Sequence, residues 1–211
     1  LQMIGGGCLD PSSDAILDIG NVRTTILGGG DMWWNLTDAR YEVPKNEGVH
    51  SLFAGSLWIG GVDNQGNLKI AAMTYRQTGS DFYPGPLNAD VNSQDYGSIS
   101  SEECAEYNTH WAINKSDVES YVTYMDCVNS DDCDTEAVFP EYVTPEVITD
   151  WPGSHFDFDG TYEYLAPFID VDGDGEYNNS DYPGYDLDAE GDCIENDYLF
   201  GDQSIWWVFN D

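Results

Sequence analysis

The residues with the clearest chemical potential are the carboxylates of FIDVDGDGEYNNSDYP, which runs from Phe168 to Pro183. Four Asp residues lie within twelve positions of this segment and alternate with glycine and other small or polar residues. Carboxylates this close repel one another and destabilise a compact state unless a cation neutralises them. Calcium is a hard cation that takes about six to eight oxygen ligands. The segment therefore predicts a calcium-binding loop.

The spacing of the oxygen donors agrees with a twelve-residue calcium loop. If Asp170 is position 1, Gly175 falls at position 6, where the sharp turn needs glycine. The predicted ligands are Asp170, Asp172, Asp174, the main-chain carbonyl of Glu176, Asn178 (directly or through water) and Asp181. Pro167 and Pro183 flank the loop, which favours a structural calcium loop over a helix–loop–helix sensor. The alternative interpretation is an acidic, solvated turn.

The net charge limits the classes of partner. The chain has 40 acidic and 6 basic residues, a formal charge of −34, and no Lys or Arg after Lys115. Such a surface repels nucleic acid and anionic membranes, and no apolar run is long enough for membrane insertion. Aromatic residues are nevertheless 14% and apolar residues 41% of the chain, which indicates a folded protein rather than a disordered one. We expect the acidic groups to be neutralised by cations or spread over a wet surface.

The five cysteines favour disulfides over a metal–thiolate site. None forms a CxxC pair, and the three His residues are scattered. Cys127 and Cys133 bracket a polar turn and are predicted to form a local disulfide. Cys104 with Cys193 is the second predicted pair, which leaves Cys8 as the odd cysteine. Disulfides would place the protein in an oxidising compartment.

The remaining pattern is mainly β and predicts a β-sandwich-like domain with long loops, spanning 1–211 as one module. Residues 52–76 predict a hairpin around the turn VDNQGN. Its first strand has apolar residues on both faces, which predicts burial on both sides. One helix is predicted at about 116–127, opened by a capping box of Ser116 and Glu119. Residues 204–209 predict a strand whose open edge another polypeptide completes.

Two resemblances extend this interpretation. DVDGDGEYNNSD resembles half of a dockerin-type calcium repeat. GGDMWW, YEVP, HSLFAGSLWIGG, AAMTYRQTGSDFYPGPL and GDQSIWWVFND are similar in order and spacing to the N-terminal region of large secreted Bacteroidota proteins exported by the type IX system. That resemblance implies an extracellular or cell-surface location. The chain departs from the family in the insert GYDLDAEGDCIENDYLF and in lacking the C-terminal sorting domain.

These features together predict a non-enzymatic module. The chain has no GxSxG, HExxH or P-loop motif, and pairs of carboxylates are uninformative among forty acidic residues. The expected function is a calcium-binding structural or adhesive module. Its partners would be the continuation of the same protein, neighbouring subunits or surface glycans. The alternatives are a filament subunit assembled by strand complementation, and a carbohydrate-binding module or part of a secreted hydrolase.

Overall fold

The computed structural model describes residues 7–73, 75–76, 79–156, 162–184, 199 and 201–210. The chain divides into two compact units, one of residues 1–110 with 207–211 and the other of residues 111–206. A single module over 1–211 was expected from the absence of a linker. The sequence shows no linker between the units. The chain leaves the first unit after residue 110 and returns to it at residue 207.

The fold is mainly β, as predicted, with several small antiparallel sheets. In chain order the strands are β1 Asp14–Leu17, β2 Arg23–Leu27, β3 Asp31–Met32, β4 Tyr41–Glu42, β5 His50–Leu52, β6 Gly55–Ser56, β7 Trp58–Val62, β8 Leu68–Ala72, β9 Tyr83–Pro84, β10 Trp111–Asn114, β11 Ser154–Phe156, β12 Tyr162–Tyr164, β13 Phe168–Ile169, β14 Tyr182–Pro183, β15 Gln203–Trp206 and β16 Phe209–Asn210. The helices are α1 Ser101–Glu106, α2 Lys115–Val128, α3 Thr135–Val138 and α4 Glu146–Thr149.

The first unit is built on a six-stranded sheet in the order β5-β4-β2-β3-β6, with β1 paired to β2. Beside the sheet, Ala71, Met73 and Phe82 form a small buried cluster against which Phe209 packs. The buried Asp31 carboxylate accepts two hydrogen bonds from Arg76, at 2.7 and 3.1 Å. This paired geometry compensates the desolvation of both charges.

The predicted hairpin is present as β7 and β8, in the register Trp58↔Ala72 through Val62↔Leu68. The prediction that HSLFAGSLWIGG is one strand buried on both sides is wrong: the stretch is divided among β5, β6 and β7, and every residue of β5 and β7 is exposed. The β8 residue Ala71 is buried, so contact with the unit is made at that end of one face. An apolar pattern shows that a strand gains from cover, but it does not show that the same chain supplies it.

The second unit is built around α2, which confirms the predicted helix. Its buried core contains residues of five segments: Ile113, Val118, Tyr121, Ile148, Trp151, Ala166 and Leu199. The predicted capping box at Ser116 is wrong. Asn114 is the N-cap, because β10 runs directly into the helix and Ser116 already lies in its first turn. The capping box of the described chain is at Ser100 and Glu103, on α1.

The helices α1, α3 and α4 were not predicted. They contain six, four and four residues, and so are too short to show a helical apolar period. Residues 204–209 were predicted to form one strand, whereas the structure has two strands there, Gln203–Trp206 and Phe209–Asn210. Completion of an open edge by another polypeptide stays a prediction. β15 pairs with β10 in the second unit, and β16 pairs with β9 in the first.

The cysteines confirm one predicted disulfide and correct the other. Cys127 pairs with Cys133, as expected for the ends of a short polar turn. Cys104 pairs with Cys8 instead of Cys193, so Cys8 is not the odd cysteine. Cys193 lies outside the described residues. The partners Cys8 and Cys104 are separated by 96 residues, a distance over which sequence spacing carries no pairing information.

Candidate metal centre

The acidic loop of residues 170–181 connects β13 to β14. These two-residue strands pair antiparallel, Phe168 with Pro183 and Ile169 with Tyr182. The pairing brings the two ends of the loop together, so its twelve residues form a closed turn. The loop is flanked by these short strands and not by helices, and Pro183 is itself a residue of the second strand.

Three of the predicted ligands converge at the start of the loop. Asp170, Asp172 and Asp174 each offer a carboxylate oxygen, and these oxygens lie within 4.8 Å of one another. Asp170 is half-buried, whereas Asp172 and Asp174 are exposed. Three oxygens at this separation can contact one divalent cation, since calcium–oxygen distances are about 2.3–2.6 Å.

The backbone of the loop folds around the first carboxylate. Asp170 accepts hydrogen bonds from the main-chain N–H groups of Gly173 at 2.7 Å and Gly175 at 2.9 Å. Both glycines have positive φ, 75° and 80° respectively. Side chains other than glycine rarely adopt this conformation. The glycine at position 6 is therefore needed for the turn that places Asp170 at the centre of the loop.

The amide of Asn178 lies among the carboxylates. Its Nδ2 donates to Asp172 at 3.2 Å and to Asp174 at 3.4 Å. Its Oδ1 accepts from the main chain of Ser180 at 2.8 Å, and the Ser180 hydroxyl donates to Asp172 at 3.1 Å. Because an amide nitrogen cannot ligate a cation, Asn178 in this rotamer would act through water. These donors, the Asn178 amide foremost, lower the pKa of Asp172, against a smaller opposing effect of desolvation.

Asp181, predicted at position 12, is the last residue of the loop and is not in the cluster of three carboxylates. Its side chain is fully buried, and its two oxygens accept from the main-chain N–H groups of Val171 at 2.9 Å and Asn178 at 2.8 Å. Burial raises the pKa of Asp181. The two backbone hydrogen bonds oppose this shift, whereas the negative charges of Asp172 and Asp170 add to it. The carboxylate thus closes the loop by bonding its second and ninth residues.

The loop is fixed to the core of its unit by tyrosines. Tyr177 donates from its hydroxyl to the Ile148 carbonyl at 2.6 Å, and its ring meets Phe168 edge-on at a centroid distance of 5.3 Å. Burial raises the pKa of the Tyr177 hydroxyl, so it remains a protonated donor. Tyr121 of α2 donates its hydroxyl to the Asn179 carbonyl. The cluster is therefore held by packed elements rather than by a free surface loop.

The structure brings together part of the predicted site. Asp170, Asp172 and Asp174 converge, and the Asn178 amide lies near them, 3.5 Å from the Glu176 carbonyl oxygen. Asp181 is positioned by backbone N–H groups. Sequence reasoning missed Ser180, at a position that the loop template leaves undefined. It also missed the Tyr121 hydroxyl, because the helical pattern marked Tyr121 only as an apolar position.

Comparison of the chain with protein-family models, with curated proteins and with solved structures finds no match. Within the part of the chain that the structure describes, no helix is long and apolar enough to cross a membrane.

Proposed function

We propose that the loop of residues 170–181 binds calcium, and that the chain is a calcium-stabilised structural or adhesive module of an extracellular or cell-surface protein. The observation that carries the proposal is the convergence of Asp170, Asp172 and Asp174 within 4.8 Å. Without a cation, three carboxylates at this separation repel one another. The oxygen-only set of carboxylates and a main-chain carbonyl favours calcium over zinc, which prefers nitrogen and sulfur ligands.

The position of Asp181 supports a structural role for the ion. The carboxylate is fully buried, in a loop that holds three more carboxylates near its start. A bound cation would offset both the repulsion among the three and the effect of the Asp172 and Asp170 charges on Asp181. Tyr121 and Tyr177 bond the loop to α2 and to Ile148, so ordering the loop also orders these contacts. Calcium would therefore stabilise the packing of the second unit.

Two observations support an extracellular setting. The disulfides Cys8–Cys104 and Cys127–Cys133 persist in oxidising compartments. Calcium loops of extracellular modules have dissociation constants of about 10⁻⁴ to 10⁻³ M, an affinity that a solvent-exposed loop such as this one could reach. The partners of such a module are the continuation of its own polypeptide or neighbouring subunits.

Thermal unfolding with calcium and with EGTA tests the proposal. At a free concentration one hundred times the dissociation constant, calcium should stabilise the folded chain by about 2.7 kcal/mol. Asp174→Asn should reduce this stabilisation, because it removes one ligand charge. Asp126→Asn, at an exposed position of α2, is the control with the same change of charge. An unfolding midpoint that is the same in calcium and in EGTA would refute calcium binding.

A further inference from the structure

The first unit contains a cavity with aromatic walls. Its volume is about 310 Å³, and its lining includes the rings of Trp34, Trp58 and Tyr75 together with the polar residues Asp31 and Ser56. Trp34 is buried, whereas Trp58 is 66% and Tyr75 is 54% exposed. Cavities that bind small molecules in proteins begin at about this size and are lined mainly by apolar and aromatic side chains with a few polar groups. The cavity therefore has the composition of a small-molecule site.

The exposed rings of the cavity are held in place by contacts within the unit. The Trp58 indole N–H donates to both the Ser56 hydroxyl and the Met73 carbonyl, at 3.1 Å in each case. The Tyr75 ring meets the Trp34 ring edge-on, at a centroid distance of 5.5 Å. A side chain that is already fixed loses little conformational entropy when a ligand binds to it. These rings are therefore preorganised contact surfaces.

Backbone strain fixes the position of the Tyr75 ring. The φ angle is 52° at Tyr75 and 49° at Arg76, a left-handed conformation that residues other than glycine rarely adopt. Arg76 holds this turn, because its guanidinium donates to the Asp31 carboxylate at 2.7 and 3.1 Å and to the Pro11 carbonyl at 2.6 Å. Strained residues of this kind are concentrated at ligand sites. The strain at the wall of the cavity agrees with a binding role.

Two hydrogen-bond acceptors lie side by side at the cavity. Asp31 and Ser56 are directly opposed in the pairing of β3 with β6, so their side chains share one face of the sheet. The Asp31 carboxylate accepts two hydrogen bonds from Arg76 and one from the Trp34 indole, which leaves one of about four lone-pair sites open. The Ser56 hydroxyl donates one hydrogen bond and accepts one, which leaves one lone pair. Both groups can accept a hydrogen bond from a ligand hydroxyl.

The charges at the cavity favour a neutral ligand. Among its described lining residues Asp31 alone is charged, and Arg76 already pairs with it, so a cation gains no ion pair there. An anion is repelled by the net charge of −34. A wholly apolar ligand would leave the open acceptors of Asp31 and Ser56 without water or a partner. A pyranose ring meets these conditions, because its C–H face packs on aromatic rings while its hydroxyls donate hydrogen bonds.

We propose that this cavity binds one pyranose unit of a neutral sugar. The C–H face of the sugar packs on the exposed rings of Trp58 and Tyr75, and its hydroxyls donate to Asp31 and Ser56. The proposal concerns the first unit alone and does not depend on calcium, whose candidate loop lies in the second unit.

Titration of the whole chain with neutral monosaccharides tests the proposal. The probes are the methyl α- and β-glycosides of glucose, galactose, mannose, xylose and N-acetylglucosamine, and binding is followed by tryptophan fluorescence and saturation-transfer NMR. At least one probe should bind with a dissociation constant of about 1–10 mM, the range expected for a ligand of about 13 non-hydrogen atoms. Choline and glucuronate, a cation and an anion, should bind more weakly. Titrations in calcium and in EGTA, below the unfolding midpoint, should agree, so this test and the calcium test fail separately.

Matched variants locate the site. Trp58→Ala and Tyr75→Ala should each weaken binding of the same glycoside by about tenfold or more. Tyr96→Ala is the control for Tyr75→Ala, because Tyr96 is in the same unit, is 58% exposed and lies outside the cavity lining. Trp58→Phe should lose less affinity than Trp58→Leu, because Phe keeps an aromatic face, whereas a merely apolar surface would accept either side chain.

Near-UV circular dichroism checks the fold of each variant. Trp58 is two-thirds exposed, so its variants decide the outcome should Tyr75→Ala disturb the strained turn. The proposal is overturned if none of the glycosides binds at concentrations up to about 50 mM. Equal affinities of the Trp58→Phe and Trp58→Leu variants, equal effects of the Tyr75 and Tyr96 substitutions in folded variants, or tighter binding of choline or glucuronate would also overturn it.

Discussion

The substitution Asp181→Asn probes the buried carboxylate of the last residue of the candidate calcium loop. Asp181 is fully buried and accepts hydrogen bonds from the main-chain N–H groups of Val171 and Asn178. Asn is nearly isosteric but has one acceptor oxygen, so one of the two N–H groups would face an amide NH₂ instead. An unsatisfied buried donor costs about 1–3 kcal/mol. Loosening the loop would also remove part of the calcium stabilisation, which is about 2.7 kcal/mol at a hundredfold excess over the dissociation constant.

In saturating calcium, Asp181→Asn should therefore lower the free energy of unfolding by roughly 3–5 kcal/mol. In EGTA the loss should be smaller, because the substitution also removes a buried negative charge that Asp170 and Asp172 disfavour. Urea unfolding in both conditions measures the two losses. Asp126→Asn on the surface of α2 is the control and should have little effect in either condition. Equal losses in calcium and in EGTA would refute the coupling between Asp181 and the ion.

The raised pKa of Asp181 predicts that the stability of the chain depends on pH. The pKa of Asp181 is raised above its ordinary value of 3.8, so the folded, metal-free chain binds a proton there more tightly than the unfolded chain. Its contribution to metal-free stability should increase as pH falls through the raised pKa toward 3.8. The pKa of Asp172 is lowered, so its stabilising contribution should be lost only below 3.8. Protonation of Asp181 should also weaken calcium binding, and Asp181→Asn should abolish this part of the pH dependence.

Three further predictions follow from the packing and the covalent structure. Gly175→Ala should lower the free energy of unfolding in urea by about 1–2 kcal/mol, because φ at this residue is 80°. The cost comes from the backbone, since an added Cβ would lie at an ordinary contact distance, 3.4 Å from the Tyr164 hydroxyl. Ile113→Ala should destabilise by about 2–5 kcal/mol, since Ile113 is fully buried; a loss below 1 kcal/mol would contradict its place in the core. Replacing Cys127 and Cys133 by Ser should cost about 2 kcal/mol on the chain-entropy model, and non-reducing peptide mapping should find this pair linked.

The features that the sequence could predict depend on residues that lie close together in the chain. The loop of residues 170–181 was predicted to bind calcium because its oxygen donors are neighbours in the chain. The convergence of Asp170, Asp172 and Asp174 agrees with that spacing, and calcium itself stays a prediction. The hairpin and α2 were predicted for the same reason, as turn residues and a helical apolar period are local signals. The anchoring of the loop by the Tyr121 hydroxyl was not predictable, because the acceptor lies 58 residues away.

The predictions that were wrong concern contacts between segments that are far apart in the chain. The bond between Cys8 and Cys104 joins residues 96 positions apart, and no local pattern marks it. The first strand of the hairpin predicted over 52–76 was expected to be buried on both sides, yet every residue of Trp58–Val62 is exposed. An apolar strand pattern does not show whether the same chain covers the strand, because that depends on the packing of segments that are distant in sequence.

The most direct test of calcium binding is a crystal structure of the chain grown with millimolar calcium, with the anomalous signal used to locate the ion. We expect one calcium ion in contact with carboxylate oxygens of Asp170, Asp172 and Asp174, at calcium–oxygen distances of about 2.3–2.6 Å. The Glu176 carbonyl should complete the site with water or Asn178. Anomalous density elsewhere and none at these three residues would contradict it.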